Sequence, residues 1–297
     1  MVDSPGLKGE VVERIQWTPL APFGALVDLK LVPGLPAAIR DELAALFRER
    51  SLLVFRNQHL SLAEQVEVSS WFGPVPADGV GVLSLDKATG YLGTSELTYH
   101  SDLESLPDPV LALTFHALEV IDGQSSTRFA NGIAAAENLP PKLRERLEGL
   151  QAMHVWPVAL SDRQLGREVA EDWPGTAHPV LMPHPATGRL VLYVTEQQTN
   201  RILGLSKTES EELLRTLLAR LYDSGNVYEH FWCNGDFVMC DNRALQHARS
   251  DLKAVSVRQI QRVQLGSPSS EIIRQETKRL GDRALGLKRE VANSTTS

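Results

Sequence analysis

The chain has 297 residues, of which 42% are hydrophobic and 23% are charged, so it is long enough for one large domain or two modest ones with a hydrophobic core. A net charge of -7 argues against non-specific binding to nucleic acid or to an anionic membrane, although a local basic pocket is compatible with it. Its two cysteines, Cys233 and Cys240, are too few for a disulfide scaffold and lack the spacing of a zinc site.

The sequence carries no targeting or membrane-spanning pattern. Its first 17 residues lack a basic start followed by an apolar run, which is the pattern of a signal peptide. No apolar stretch approaches the roughly 20 residues that cross a bilayer as a helix. We therefore expect a cytoplasmic protein that has no contact with membranes and keeps both cysteines as thiols.

Short extended segments recur along the chain, separated by Gly, Pro, Asn and Asp, as in a β-sandwich or barrel. They are Gly24–Leu31, Ser51–Arg56, Val110–Ile121, Arg189–Val194, Gly235–Cys240 and Ala254–Leu265. Helices are predicted at Leu35–Arg50, from Ser61 to Phe72, at Pro140–Leu150, and from Ser206 through Leu221. Because these helices do not alternate regularly with strands, we predict a mainly β fold with flanking helices, a double-stranded β-helix (jelly roll) of cupin-like type.

Two segments are predicted to be long loops, Gly73–Ser95 and Trp156–Pro179, and each is interpreted either as a lid or as a plain surface excursion. The composition changes after residue 266. We predict a catalytic domain over residues 1–266 and a C-terminal helical tail over residues 267–297, whose end is disordered.

The first candidate site is the pair His100 and Asp102. Side chains two apart on a strand point to the same side, so the imidazole and the carboxylate can converge on one point. These are two of the three ligands of a facial iron site. The alternative is a surface histidine and a turn aspartate ahead of Pro107.

A third ligand is available at His247, which follows a strand and the Asp241-Asn242 turn. Two histidines and one carboxylate would leave three octahedral positions open on the metal. A bidentate 2-oxo acid can occupy two of them and dioxygen the third.

The strand after His247 carries Arg258 and Arg262 on the same face, on either side of Ile260. If that face is interior, anionic ligands in a pocket would offset the cost of burying two guanidinium groups. The alternative is a solvated face with ordinary surface arginines.

Taken together, these pieces resemble the taurine dioxygenase-like family of Fe(II)/2-oxoglutarate-dependent dioxygenases, over roughly Leu52 to Leu265. The shared motifs, in order, are Leu53–Gln58, Phe72–Pro74, His100-x-Asp102, Gly123–Asn131, Leu139-Pro140, His184–Arg189, Gly204–Ser206, Asp241–Arg243 with His247, and Arg258 and Arg262.

The resemblance implies that His100, Asp102 and His247 bind Fe(II), and that Arg258 and Thr127 bind the distal carboxylate of the cosubstrate 2-oxoglutarate. Dioxygen would oxidise a small-molecule substrate while 2-oxoglutarate is decarboxylated to succinate and CO2. Arg262 matches a residue that reaches both the cosubstrate region and the substrate. The resemblance also implies a homo-oligomer, a dimer or a tetramer.

The sequence departs from taurine dioxygenase at the substrate pocket. Glu96 replaces an asparagine and would repel a sulfonate, and Gln197-Gln198 stand where that enzyme has a phenylalanine. If Glu96, Gln198 and Arg262 contact substrate, they would suit hydroxylation of a small polar, amino-acid-like or specialised metabolite. The alternative for Glu96 is that it caps a loop or pairs with an outer arginine.

Two other functions remain open. One is catabolic cleavage of an alkyl sulfonate, a sulfate ester or an aryloxy ether, and the other is a non-catalytic jelly-roll binding protein. Asp102 fills the position that is Ala or Gly in related halogenases, which favours oxygenation over halogenation. The other histidines receive no role; they are His59, His116, His154, His178, His184 and His230.

Overall fold

The described part of the computed structural model covers residues 14–85, 91–157, 159, 161–170, 173–266 and 278. It contains seventeen strands, five α-helices and one short 3-10 helix at Ser224–Asn226. The strands are β1 Gln16–Pro19, β2 Ala25–Asp28, β3 Leu52–Phe55, β4 Val80–Ser84, β5 Tyr91–Leu92, β6 Leu97–His100, β7 Ala112–Val120, β8 Ser126–Asn131, β9 Gln151–Val155, β10 Gly175–Pro179, β11 Leu181–Pro183, β12 Leu190–Leu192, β13 Thr199–Ile202, β14 Val227–Phe231, β15 Phe237–Asp241, β16 Leu245–Arg249 and β17 Arg258–Leu265. The helices are α1 Ala37–Arg50, α2 Leu62–Ser70, α3 Gly132–Glu137, α4 Pro141–Leu147 and α5 Lys207–Leu221.

Two sheets form the centre of the fold. The larger has the strand order β1-β2-β3-β15-β7-β17-β4-β5 and the smaller β14-β8-β16-β6. Pairing within them is antiparallel except for β2 with β3 and β4 with β5. One core cluster joins Leu113 and Ile260 of the larger sheet to Phe129 and Leu245 of the smaller one. This is the arrangement of a jelly roll, so the predicted fold class is confirmed.

Helices cover the outer faces of both sheets. In β3, Leu52 and Val54 face the core between the sheets, whereas Leu53 and Phe55 pack in a second cluster with α1 residues such as Leu43. This explains why every residue of the strand is buried. A third cluster packs the leucines of α5 against the outer face of the smaller sheet. The flanking helices therefore bury the surface that the sheets leave uncovered.

The predicted helix starts are confirmed where a capping box marked them. Ser61 accepts a hydrogen bond from the Glu64 amide, and the Glu64 side chain accepts one from the Ser61 amide. Ser206 and Glu209 repeat this arrangement at the start of α5. Helix α3 was not predicted from the sequence, since it is only six residues long and begins without a capping box.

The two predicted loops contain strands. Within Gly73–Ser95, β4 pairs with β17 over Val80–Ser84, and Trp156–Pro179 ends in β10, which pairs with β9. The predictions of uninterrupted loops were therefore wrong, because long-range pairing rather than local composition forms these strands. The tail at residues 267–297 lies outside the described residues apart from Lys278. Among the described helices, none is both long enough and apolar enough to span a bilayer.

Candidate active site

The side chains of His100, Asp102 and His247 meet at one point inside the fold. All three residues are buried, and one ligating atom from each lies within 4.8 Å of the other two. The two imidazole Nε2 atoms are each 3.5 Å from Asp102 Oδ1. His100 and His247 pair across β6 and β16, so the sheet register itself brings the two rings together. Two imidazoles and one carboxylate on one side of a centre form the facial ligand set typical of non-haem Fe(II).

Asp102 reaches this point from a turn and not from a strand. The strand β6 ends at His100, and Asp102 lies in the following turn, where Leu103 has a φ of 58°. The prediction that His100 and Asp102 share one face of a strand was therefore wrong, but their side chains do converge on one point. Asn242 fixes the turn, because its side-chain oxygen accepts from the Asp102 amide at 2.8 Å and its side-chain nitrogen donates to the Asp102 carbonyl at 3.0 Å.

The two carboxylate oxygens of Asp102 have different partners. Oδ2 accepts hydrogen bonds from Arg262 Nη1 at 2.5 Å and from Gln264 Nε2 at 2.9 Å, while Oδ1 faces the histidines. Burial by itself would raise the pKa of Asp102, but the Arg262 charge and the two imidazoles outweigh it and hold the pKa well below its usual range. The carboxylate is thus ionised and offers one free oxygen to a metal.

His247 and His100 each direct a ring nitrogen to the same point. Burial, reinforced by the His100 and Arg262 charges, lowers the pKa of His247 to about 3. The Nδ1 of His100 lies 2.8 Å from the Thr98 carbonyl, to which it can only donate, so its Nε2 lone pair is left for a metal. Two imidazole nitrogens and one carboxylate oxygen are donors that suit a divalent iron ion.

Gln198 and Glu104 brace the turn that carries Asp102. The Gln198 amide donates to the Ser101 carbonyl at 3.1 Å and accepts from the Ser105 amide at 3.2 Å. The fully buried Glu104 accepts from the Ser101 amide at 3.2 Å. Sequence reasoning assigned Gln198 to substrate and gave Glu104 no role. In the sequence, only the position of Glu104 two residues after Asp102 pointed to a role at the site.

A cavity of about 210 Å³ opens above the three candidate ligands. Its lining residues are Leu83, Leu92, Leu97, His100, Asp102, Leu103, Ser105, Phe115, Thr127, Trp156, Pro157, Gln197, Gln198, His247, Ala248, Arg249, Arg258, Arg262 and Gln264. Asp102 is the only carboxylate that lines it within the described chain. Apart from the ligand set and the arginines, much of its wall is aliphatic or aromatic.

Arg258 and Thr127 lie in this lining. Arg258 is 4% exposed, and within the described residues its Nε has no hydrogen-bond partner. Its face of β17 is interior, so the interpretation as a solvated surface was wrong. Thr127 Oγ1 accepts from Trp232 Nε1 at 3.0 Å, which leaves the Thr127 hydroxyl hydrogen available to an anion.

Glu96 lies apart from the cavity. Its carboxylate pairs with Arg163 at 3.2 Å, the side chain is 37% exposed, and Glu96 is not among the described residues of the cavity wall. Glu96 therefore pairs with an outer arginine, which is the alternative that the sequence left open.

The model of the family described as taurine catabolism dioxygenase TauD, TfdA family, matches residues 16–264. The chain belongs to this family. Like other members, it is an enzyme that depends on 2-oxoglutarate and Fe(II), and the donor set formed by His100, Asp102 and His247 fits that metal.

Three individual similarities agree with the family. The (S)-phenoxypropionate/alpha-ketoglutarate-dioxygenase of Sphingobium herbicidovorans is 30% identical over 250 residues, 76% of this chain and 86% of that protein. The alpha-ketoglutarate-dependent 2,4-dichlorophenoxyacetate dioxygenase of Cupriavidus pinatubonensis is 29% identical over 268 residues, 80% and 93% of the two chains. The crystal structure of a taurine dioxygenase from Burkholderia xenovorans has a TM-score of 0.72 at 26% identity, covering 84% and 90%.

Proposed function

We propose that this TauD/TfdA-family dioxygenase binds Fe(II) through His100, Asp102 and His247 and the distal carboxylate of 2-oxoglutarate through Arg258 and Thr127. The three ligating atoms lie within 4.8 Å of one another, which supports the first assignment. The unpartnered Nε of the buried Arg258 supports the second. Iron and 2-oxoglutarate, when bound, would activate dioxygen as the oxidant, and the protein would orient the reactants and exclude water.

The substrate that we propose is a small molecule with an apolar body and an anionic group, of the aryloxycarboxylate type. The observation that carries this proposal is the cavity wall. Leu83, Leu97, Leu103, Phe115 and Trp156 offer an apolar surface. Asp102 is the single lining carboxylate in the described chain; its Oδ2 is bound by Arg262 and Gln264, and its Oδ1 is assigned to the metal. The ammonium group of an amino-acid-like substrate would therefore find no counter-ion.

The charges in the cavity also favour an anion. The wall contains three arginines, Arg249, Arg258 and Arg262. Their positive charge and that of a ferrous ion would outweigh the negative charge of Asp102 and of a doubly charged 2-oxoglutarate, so the cavity would keep a net positive charge. The two relatives in Sphingobium herbicidovorans and Cupriavidus pinatubonensis are named for phenoxypropionate and dichlorophenoxyacetate. Both are aromatic ethers that carry one carboxylate. Hydroxylation of the carbon beside the ether oxygen would give a hemiacetal or hemiketal, whose carbon–oxygen bond to the aryl group then breaks to release a phenol and a 2-oxo acid.

A substrate panel tests this proposal. Purified protein with Fe(II), ascorbate and 2-oxoglutarate is offered aryloxycarboxylates, alkyl sulfates, alkyl sulfonates and free amino acids, and succinate formed is compared with oxidised product. We expect stoichiometric product from at least one aryloxycarboxylate and none from the amino acids. Coupled oxidation of amino acids alone would overturn the substrate assignment. Release of sulfite or sulfate would show instead that the substrate is a sulfonate or a sulfate ester.

We also propose that the enzyme works in the cytoplasm as a homo-oligomer, a dimer or a tetramer, and that residues 1–266 form its catalytic domain. The exposed Leu118, Ile121 and Phe231 support the oligomer, since large apolar side chains on a surface favour association. Light scattering on protein separated by size-exclusion chromatography measures the molecular mass. A monomer at micromolar concentration would contradict the proposed oligomer.

A further inference from the structure

Arg249 is a buried arginine in the cavity wall, and no ligand has been assigned to it so far. It is the last residue of β16, two positions after His247, and it is 5% exposed. From the geometry we infer that Arg249 is a second cationic anchor for the distal carboxylate of 2-oxoglutarate, alongside Arg258 and Thr127. This inference rests on the proposed function.

The sheet register puts Arg249 at the cosubstrate end of the cavity. On β16, Ala248 pairs with Arg128 of β8, so Arg249 comes next along the strand on the side of Thr127. Arg249, Thr127 and Arg258 all line the same cavity. The two guanidinium groups are also close enough for the Arg249 charge to act on Arg258, whose pKa is lowered chiefly by burial and further by Arg249.

The hydrogen-bond donors of these arginines are incompletely used. Arg249 Nη2 donates to the Gly93 carbonyl at 3.0 Å, but the Nε atoms of Arg249 and Arg258 both lack a partner within the described chain. The only carboxylate in the described wall, Asp102, is bound by Arg262 and Gln264. Two buried like charges without an anion are costly, whereas one carboxylate has lone pairs for both guanidinium groups and for a hydroxyl.

If Arg249 binds the distal carboxylate, its replacement should weaken only the binding of 2-oxo acids that carry this group. Arg249→Met keeps the length of the side chain but removes its charge and its donors, whereas Arg249→Lys keeps the charge. The ligands to compare are 2-oxoglutarate and 2-oxobutyrate, because both chelate iron through the 2-oxo acid group and only the first has a distal carboxylate. Lys253→Met is the control, since it removes a nearby cation whose side chain is 80% exposed.

Binding is measured anaerobically from the visible charge-transfer band of the complex of Fe(II) and the 2-oxo acid, without substrate and without turnover. We expect Arg249→Met to raise the Kd of 2-oxoglutarate about 10- to 100-fold and that of 2-oxobutyrate less than about 3-fold, because charged hydrogen bonds are lost only with the distal carboxylate. Arg249→Lys should recover part of the loss, and Lys253→Met should match the wild type.

Equal loss of both ligands in Arg249→Met would overturn the inference, because it would mean a structural contribution or a contact at the iron end. Unchanged 2-oxoglutarate binding together with a raised KM for the organic substrate would also overturn it, and would assign Arg249 to the substrate. If Arg249→Met fails to fold, the ratio of the two Kd values in Arg249→Lys decides instead. A wild-type protein that gives no band would refute the proposed iron and cosubstrate site, which is a different failure.

Discussion

Arg262 donates to Oδ2 of Asp102 at 2.5 Å, while Oδ1 of the same carboxylate stays 3.5 Å from the Nε2 atoms of both histidines. The carboxylate is therefore divided between a partner in the protein and a position for a metal. Since Gln264 also binds Oδ2, rotation of the carboxylate would break two hydrogen bonds. Hydrogen bonds of this kind fix the orientation of a metal ligand.

Removing the Arg262 side-chain donors should weaken metal binding. For Arg262→Met, we expect the anaerobic Kd for Fe(II) to rise about 10- to 100-fold, because the orienting partner of a metal-binding carboxylate is lost. Gln264→Met, which removes only the neutral partner, should have a smaller effect. Equal Fe(II) affinity in Arg262→Met and the wild type would contradict this role.

Thr127 connects the cosubstrate site to the core through Trp232. Thr127→Val keeps the volume but removes both the acceptor for Trp232 Nε1 and the hydroxyl donor. We expect a Kd for 2-oxoglutarate raised about 10-fold and a free energy of unfolding lower by about 1–3 kcal/mol, as for a buried donor left unpaired. Thr127→Ser should retain most of both. Trp232→Phe separates the two effects, since it leaves the hydroxyl in place, and a strong loss of 2-oxoglutarate affinity there would argue against direct contact.

Glu104 should matter for stability as well as for iron. Its fully buried carboxylate accepts from the Ser101 amide, from Thr195 Oγ1 and from His154 Nδ1. In Glu104→Gln, one of these donors meets an NH2 group, so we expect the free energy of unfolding in urea to fall by about 2–4 kcal/mol and Fe(II) affinity to fall with it. The control is Glu119→Gln, an exposed position on β7, which should change stability by less than about 0.5 kcal/mol. If the two variants unfold alike, Glu104 does not brace the turn.

Stability should fall on mild acidification. Burial lowers the pKa of His116, His178 and His230 in the folded chain, each below the ordinary value of 6.5. The unfolded chain therefore binds more protons, and the stability present above pH 6.5 is lost as the pH falls toward the folded-state pKa values. Between pH 7.5 and 5.5 we expect the free energy of unfolding of the metal-free protein to fall by about 1–3 kcal/mol. His178→Gln should reduce this slope, and a flat or rising stability over that range would contradict the prediction.

Local sequence signals predicted the parts of the fold that local interactions form. The serines at 61 and 206 satisfy helix amides within three residues, so their capping boxes were visible in the sequence. The strand β4 was not visible, because it exists through pairing with β17, about 180 residues later in the chain. Residue spacing likewise brought out His100, Asp102 and His247, although the turn at Asp102 was mistaken for strand.

The substrate side of the site was harder to predict. Gln198 lines the cavity, but its amide is bound to two backbone groups of the metal-binding turn, and Glu96 pairs outward with Arg163. Neither contact is encoded by spacing along the chain. Arg249 was not predicted, because a single arginine two positions after a histidine forms no motif. Its place became visible only from the register, in which the preceding residue Ala248 pairs with Arg128.

Part of the cavity wall comes from short stretches at the periphery of the fold. Leu92 lies on the two-residue strand β5 at the sheet edge, and Trp156 and Pro157 lie just past the end of β9, whereas His247 and Arg258 are held by central strands. We therefore expect substitutions at Leu92, Trp156 and Pro157 to reshape the cavity without displacing His247 or Arg258. Redirecting this enzyme to another substrate would begin at these three positions and leave β6, β16 and β17 unaltered.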